Sequence, residues 1–225
     1  MTRAKVVAAL AALALVAGAG PAWSHGQADY YPNRWTNLTP QWFFDDDFPD
    51  GNKRARVRDG LAQWNGRNLP LQFAEVGERE AGFDPATDCP APGNAMFWQD
   101  IPDGMGALAI TWTCAGGGEI VNSSIVFDSS RSWYDGVGDA ADGFLNQICS
   151  LPPGCENDLW SVASHEWGHM TGFSGPFEDG HFDPNADICQ SDPGPQHTMC
   201  PFLEIGTERL RTLEVHDIHT FEGSY

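Results

Sequence analysis

Asp158-Leu159-Trp160-Ser161-Val162-Ala163-Ser164-His165-Glu166-Trp167-Gly168-His169-Met170-Thr171-Gly172 is the stretch around which the rest of the chain is read. Asp158, or its neighbour Asn157, supplies a helix N-cap, because a short polar side chain can accept the unpaired N–H groups of a first turn. Leu159, Val162, Ala163 and Met170 supply much of an apolar face, and Gly172 suits a C-terminal turn. The pattern predicts a helix over 159–171. Residues four apart leave a helix on one side, so His165 and His169 aim two imidazoles at one point, where they can share a metal ion. Glu166 emerges beside them and can take a proton from a water held by that ion. Zinc suits imidazole ligands and needs no redox chemistry. With seven His and eleven Glu among 225 residues, composition alone yields roughly 0.01 such five-residue motifs, so coincidence is a weak explanation.

Upstream of this helix the chain alternates between strand and helix signals. Residues 34–44 carry Trp35, Leu38, Trp42, Phe43 and Phe44 and can supply a first strand. Asp45-Asp46-Asp47 reads as a solvated acidic turn in preference to a calcium site, since its spacing is irregular. Val57, Leu61 and Trp64 recur at helical spacing over 52–64, which predicts a surface helix laid on a core. Residues 69–76 alternate as a short strand, and 96–98, 107–113 and 120–128 are three further strands rich in β-branched and aromatic residues. Residues 173–202 are rich in Gly, Pro and Asp and read as loops stapled by cysteines. A last amphipathic helix is expected over 207–221, with Leu210, Leu213, Ile218 and Phe221 inward. The order strand, helix, strands, helix, loops, helix predicts a single α+β domain.

Composition narrows the function. Apolar residues make up 41% and aromatics 12%, which excludes global disorder. Twelve Lys+Arg against 31 Asp+Glu give a formal charge of −19, a balance that repels phosphate backbones and anionic membranes. No nucleic acid is expected as a partner. Residues 1–24 read as a secretory signal: Arg3 and Lys5 precede an apolar run over 6–16, and Ala22-Trp23-Ser24 fits a small-x-small cleavage pattern. The run is shorter than the ~20 residues a bilayer demands. The expected product is therefore a secreted, extracellular chain of residues 25–225, monomeric and without membrane attachment once cleaved. Its six cysteines, in an exported chain, favour disulfides. Local closure suggests Cys89–Cys114, Cys149–Cys155 and Cys189–Cys200 among the fifteen possible pairings.

The text His165-Glu166-x-x-His169-x-x-Gly172, followed by His197-Thr198-Met199-Cys200-Pro201, resembles the metzincin metalloproteases, and within them the matrixin branch with its bacterial relatives. Gly60-Leu61-Ala62-Gln63-Trp64 followed by Leu69-Pro70-Leu71-Gln72-Phe73-Ala74-Glu75-Val76 is similar to the matrixin first helix and second strand. Gly106-Ala107-Leu108-Ala109 is similar to its edge strand, and 214–221 to its closing helix. The resemblance implies a twisted mixed sheet, an active-site helix, a methionine turn at Met199 under the metal, and a C-terminal helix. It also implies a protein or peptide substrate lying extended beside 107–113, with a pocket wall over 201–206. Calcium is a second cation that the resemblance and the acidic loops allow, although no EF-hand string supports it.

One position departs from the family. The third metal ligand, His or Asp, is placed three residues after the glycine, and Gly175 stands there. His181 is the expected replacement, because a catalytic zinc site usually carries three protein ligands; Asp179, Asp183 and His197 are the alternatives, with Glu204 or Glu208 as a gluzincin-like variant. His25, His216 and His219 read as surface or supporting groups. The resulting expectation is a zinc endopeptidase in which His165, His169 and His181 bind the metal and Glu166 is the general base. Two readings compete with it: a zinc-binding but non-hydrolytic exported protein, and another zinc hydrolase such as a cell-wall amidase.

Overall fold

Gln41-Trp42-Phe43-Phe44, Asn94-Ala95-Met96-Phe97-Trp98 and Ser124-Ile125-Val126-Phe127 carry large apolar residues in runs, as strands do when both faces of a sheet are covered. The computed structural model describes residues 33–67, 70–102, 105–136, 156–172, 197–200, 211–213, 217–218 and 221–222. Within them the chain runs β1 (Arg34–Trp35), β2 (Gln41–Phe44), α1 (Asn52–Asn65), β3 (Ala74–Glu78), β4 (Asn94–Gln99), β5 (Ala109–Gly116), β6 (Glu119–Asp128), β7 (Trp133–Tyr134), β8 (Asn157–Asp158) and α2 (Leu159–Met170).

The main sheet is mixed and mostly parallel. Its order is β3-β2-β4-β6-β5, with β1 lying along the start of β6. Strands β2, β3, β4 and β6 are parallel neighbours, whereas β5 is antiparallel to β6 and, among the described residues, pairs with β6 alone. Among the described residues β5 is therefore an edge strand. The two-residue turn between β5 and β6 is Gly117-Gly118, both at positive φ (66° and 89°), the conformation that a tight hairpin connection demands.

Side chains alternate across the sheet. Trp42, Phe44, Met96, Ala109, Ile125 and Phe127 face the two helices, where they meet Val57, Leu61, Trp64, Val162, Ala163 and Trp167. Phe43, Ala95, Phe97, Ile110 and Val126 form a second cluster on the other face. The helices cross where α1 has no side chain: a Cβ on Gly60 would sit 2.8 Å from the Ser164 nitrogen. Indole N–H groups tie α2 to its surroundings. Trp64 donates to Ser164 O (2.8 Å), Trp167 to Val57 O (3.1 Å) and Trp35 to Met170 O (2.7 Å).

Several expectations need adjustment. The first strand is two short ones, because 36–40 bends away between β1 and β2. The second strand begins at Ala74: Leu71 and Phe73 are buried and Phe73 packs edge-on against Trp35 of β1, but the ladder pairing with β2 starts only at Ala74. Strand β5 starts later and ends later than 107–113, and α1 extends to Asn65. Helix α1 is also less of a surface helix than its basic residues suggest. Arg54 is buried, donating to Phe48 O (2.6 and 3.2 Å) and pairing with Glu78, while Arg56 pairs with Asp59 and lies over the Trp160 ring. Cys89–Cys114 is a disulfide, as local closure suggests, and Cys200 is also disulfide-bonded. The expected leader at 1–24, Cys149, Cys155, Cys189 and most of the expected last helix fall outside the described residues, although Asp217, Ile218, Phe221 and Glu222 are helical. No helix among the described residues is long and apolar enough to cross a membrane.

Candidate metal centre

Both ends of α2 are closed by side chains. At its start, Asp158 Oδ2 accepts from Ser161 N (2.9 Å) and Ser161 Oγ (2.6 Å), satisfying N-terminal donors as a cap does. The same carboxylate takes a two-pronged contact from Arg211, Nη2 to Oδ1 at 2.6 Å and Nε to Oδ2 at 2.9 Å. At its end, Thr171 Oγ1 donates to Gly168 O (2.6 Å), and Gly172, at φ 91°, turns the chain away. Trp160 is its one half-buried residue; the rest, including His165, Glu166 and His169, are buried.

The two imidazoles converge. His165 Nε2 and His169 Nε2 are 3.1 Å apart with their rings nearly perpendicular. Two nitrogens held about 2.0–2.1 Å from a tetrahedral zinc lie about 3.3 Å apart, so the pair is already spaced as one edge of a zinc coordination shell. The opposite side of the His165 ring fixes its tautomer. Nδ1 lies 2.7 Å from Thr198 O, and since a carbonyl can only accept, Nδ1 carries the proton and Nε2 keeps its lone pair toward His169.

Thr198 belongs to a turn, 197–200, closed by Cys200 N donating to His197 O (3.0 Å). The carboxylate of Asp217 holds this turn from below, Oδ2 accepting from Thr198 N (2.9 Å) and Oδ1 from Met199 N (3.2 Å). Met199 packs fully buried against Gly168, where any Cβ would collide with its sulfur. His197 Nδ1 lies 3.8 Å from Asp217 Oδ2. The turn at 197–200 thus supports the histidine helix.

Glu166 points to the sheet. Thr111 on β5 donates its hydroxyl to Glu166 Oε2 at 2.6 Å. Burial pushes the Glu166 carboxyl up to about 8, with hydrogen bonds from the Thr111 hydroxyl and main chain working in the opposite direction. A carboxyl with this affinity, one residue from His165, can hold and release a proton near neutral pH.

The site brings together His165, Glu166 and His169. The expected third ligand His181, and the alternatives Asp179, Asp183, Glu204 and Glu208, lie outside the described residues. Two nitrogen donors of a shell that needs three are therefore in place, and their chemistry fits zinc. Elsewhere Asp45, Asp46 and Asp47 bring one carboxylate oxygen each within 4.8 Å of one another, a group that could hold a cation, and acids sharing a turn adopt this arrangement without one as well. Burial raises the Asp45 carboxyl above its usual range, and its Oδ1 accepts from Ala81 N at 2.8 Å.

Thr111 and Asp217 carry no motif. Asp217 left a trace all the same: an acid four residues from both Leu213 and Phe221, on the inward side expected of the last helix. No protein-family model matches the chain, and no curated protein matches it at a significant level.

Proposed function

We propose that the chain is a secreted zinc-dependent endopeptidase built on a metzincin, matrixin-like scaffold. The observation that carries the proposal is the convergence of His165 and His169 Nε2 at zinc-shell spacing on a buried helix, with the Glu166 carboxyl anchored one residue along. The antiparallel edge strand β5 and the supporting turn at Met199 agree with it.

His165, His169 and, by expectation, His181 would hold the metal. When bound, zinc supplies Lewis acidity and lowers the pKa of water toward about 7. The protein does the rest. Glu166 takes the proton of the attacking water and passes it to the leaving amine. The Thr198 carbonyl keeps the His165 ring in its working tautomer. Among the described residues no strand pairs with the outer side of β5, along which an extended peptide can add as a further strand. The zinc-binding but non-hydrolytic reading keeps the two histidines and loses the use of Glu166.

Zinc content and cleavage of a quenched peptide or casein test the proposal. The wild type is expected to bind one zinc per chain and to cut. Glu166→Ala should keep the zinc and lose roughly 10²–10⁴-fold in turnover. Full turnover in Glu166→Ala, or zinc bound with no cleavage by the wild type, refutes the peptidase.

A further inference from the structure

We infer that Thr111 is a positioning residue for the general base: its hydroxyl pins Glu166 Oε2 to the edge strand and leaves Oε1 to exchange the proton. The inference rests on the peptidase reading above and adds to it the choice of oxygen and the element that sets it.

Strand geometry puts Thr111 there. Ile110 is buried in the outer-face cluster, and Trp112 packs against that cluster from a half-buried position. Ala109 is buried on the helix side, so the alternating pleat turns Thr111 inward with it. Pairing of Thr111 with Ile125 on β6 fixes the register, and a slip by one residue would replace the hydroxyl with an apolar side chain. The residue is 2% exposed, so no water competes freely for its proton.

The hydroxyl has one hydrogen and two acceptors within reach, Oε2 at 2.6 Å and the main-chain oxygen of Glu166 at 3.1 Å. The nearer of the two, Oε2, takes it. When the base acts, an O–H bond of the attacking water breaks, its electron pair stays on oxygen, and an O–H bond forms at Oε1. Oε2 then becomes the carbonyl oxygen of a carboxylic acid and still accepts from Thr111. Transfer of the proton to the leaving nitrogen restores the starting state. The threonine bond persists through both halves, so Thr111 holds the carboxyl without carrying a proton itself. Because β5 is also the strand along which a peptide would pair, substrate register and base position are set by one element.

Thr111→Val keeps the shape and removes the donor; Thr111→Ser keeps the donor. In zinc-loaded protein, Thr111→Val should lower kcat roughly ten- to a hundredfold with KM and zinc content unchanged, and Thr111→Ser should recover most of the loss. A crystal structure of Thr111→Val should show the Glu166 carboxyl rotated away from its wild-type place. Thr111→Ala gives the same test should the valine variant fail to fold. Wild-type kcat in Thr111→Val or Thr111→Ala, or an unmoved carboxyl, overturns this inference and leaves the peptidase standing. A wild type that binds zinc and cuts nothing overturns both.

Discussion

Asp128 and Glu166 are both buried carboxyls, and the protein treats them in opposite ways. Asp128, at the end of β6, receives Ser130 N (3.0 Å), Ser130 Oγ (2.7 Å), Arg131 Nε (2.9 Å) and a longer contact from Ile101 N (3.4 Å). Burial alone would raise its pKa, but these donors outweigh it and hold the group below the usual carboxylate range. Among the described residues Glu166 receives only the hydroxyl and main chain of Thr111 on its carboxyl, and burial wins. The number of donors separates them: a saturated carboxylate is a structural tie, and an undersupplied one is left with proton affinity to use.

Glu166→Gln breaks the contrast most sharply. In metal-free protein the Glu166 pKa is raised from 4.5 to about 8, so its stabilising contribution is fully present below pH 4.5 and is lost as pH rises toward about 8. The loss is on the order of a few kcal/mol. Chemical denaturation between pH 4 and 9 should show wild-type stability falling across that window and a flatter profile for Glu166→Gln. Equal slopes in the two proteins would mean that Glu166 is not buried uncompensated.

Asp128→Asn probes the other side. The Asp128 pKa is lowered from 3.8, so its contribution is present above that value and lost as pH falls through the folded pKa. Asparagine cannot accept on both of its atoms, so the variant should lose about 1–3 kcal/mol at neutral pH and show less of the wild-type acid lability. Thermal melts at pH 7 and pH 3 measure both, and peptide cleavage should be unaffected at a temperature where the variant is folded.

The two carboxyls also differ in how visible they are in the sequence. The helix carrying Glu166 is legible from its cap, its spacing and its two histidines, because all three signals lie within one short segment. Runs such as Trp42-Phe43-Phe44 announce buried strands, and close spacing announces the Cys89–Cys114 bond. What escapes is pairing between distant segments. Thr111 meets Glu166 across 55 positions, and nothing in either neighbourhood marks the other. The burial of Arg54 and Arg56 escapes for the same reason, since the groups that bury them include Glu78 and Trp160 from other elements. At Leu71 and Phe73 alternation reports burial correctly and strand pairing incorrectly, because side-chain period and ladder hydrogen bonds are separate properties.

Asp217 lies between the two cases and is the finest test of the contrast. It is fully buried and accepts from two backbone N–H groups, like a structural tie, yet one of them is Met199 N–H, whose peptide unit ends in the Thr198 carbonyl that orients His165. A peptide unit is planar and rigid, so a pull on its N–H moves its carbonyl. Asp217→Asn replaces one acceptor oxygen with an amide donor facing a donor. If the acid only ties the fold, the variant should lose about 1 kcal/mol of stability and bind zinc as before. If it acts on the histidine, zinc affinity should fall about tenfold beyond that cost, as loss of a partner behind a metal ligand does. Competition against a chromophoric chelator separates the two, and the relay through the Thr198–Met199 peptide predicts the tenfold loss.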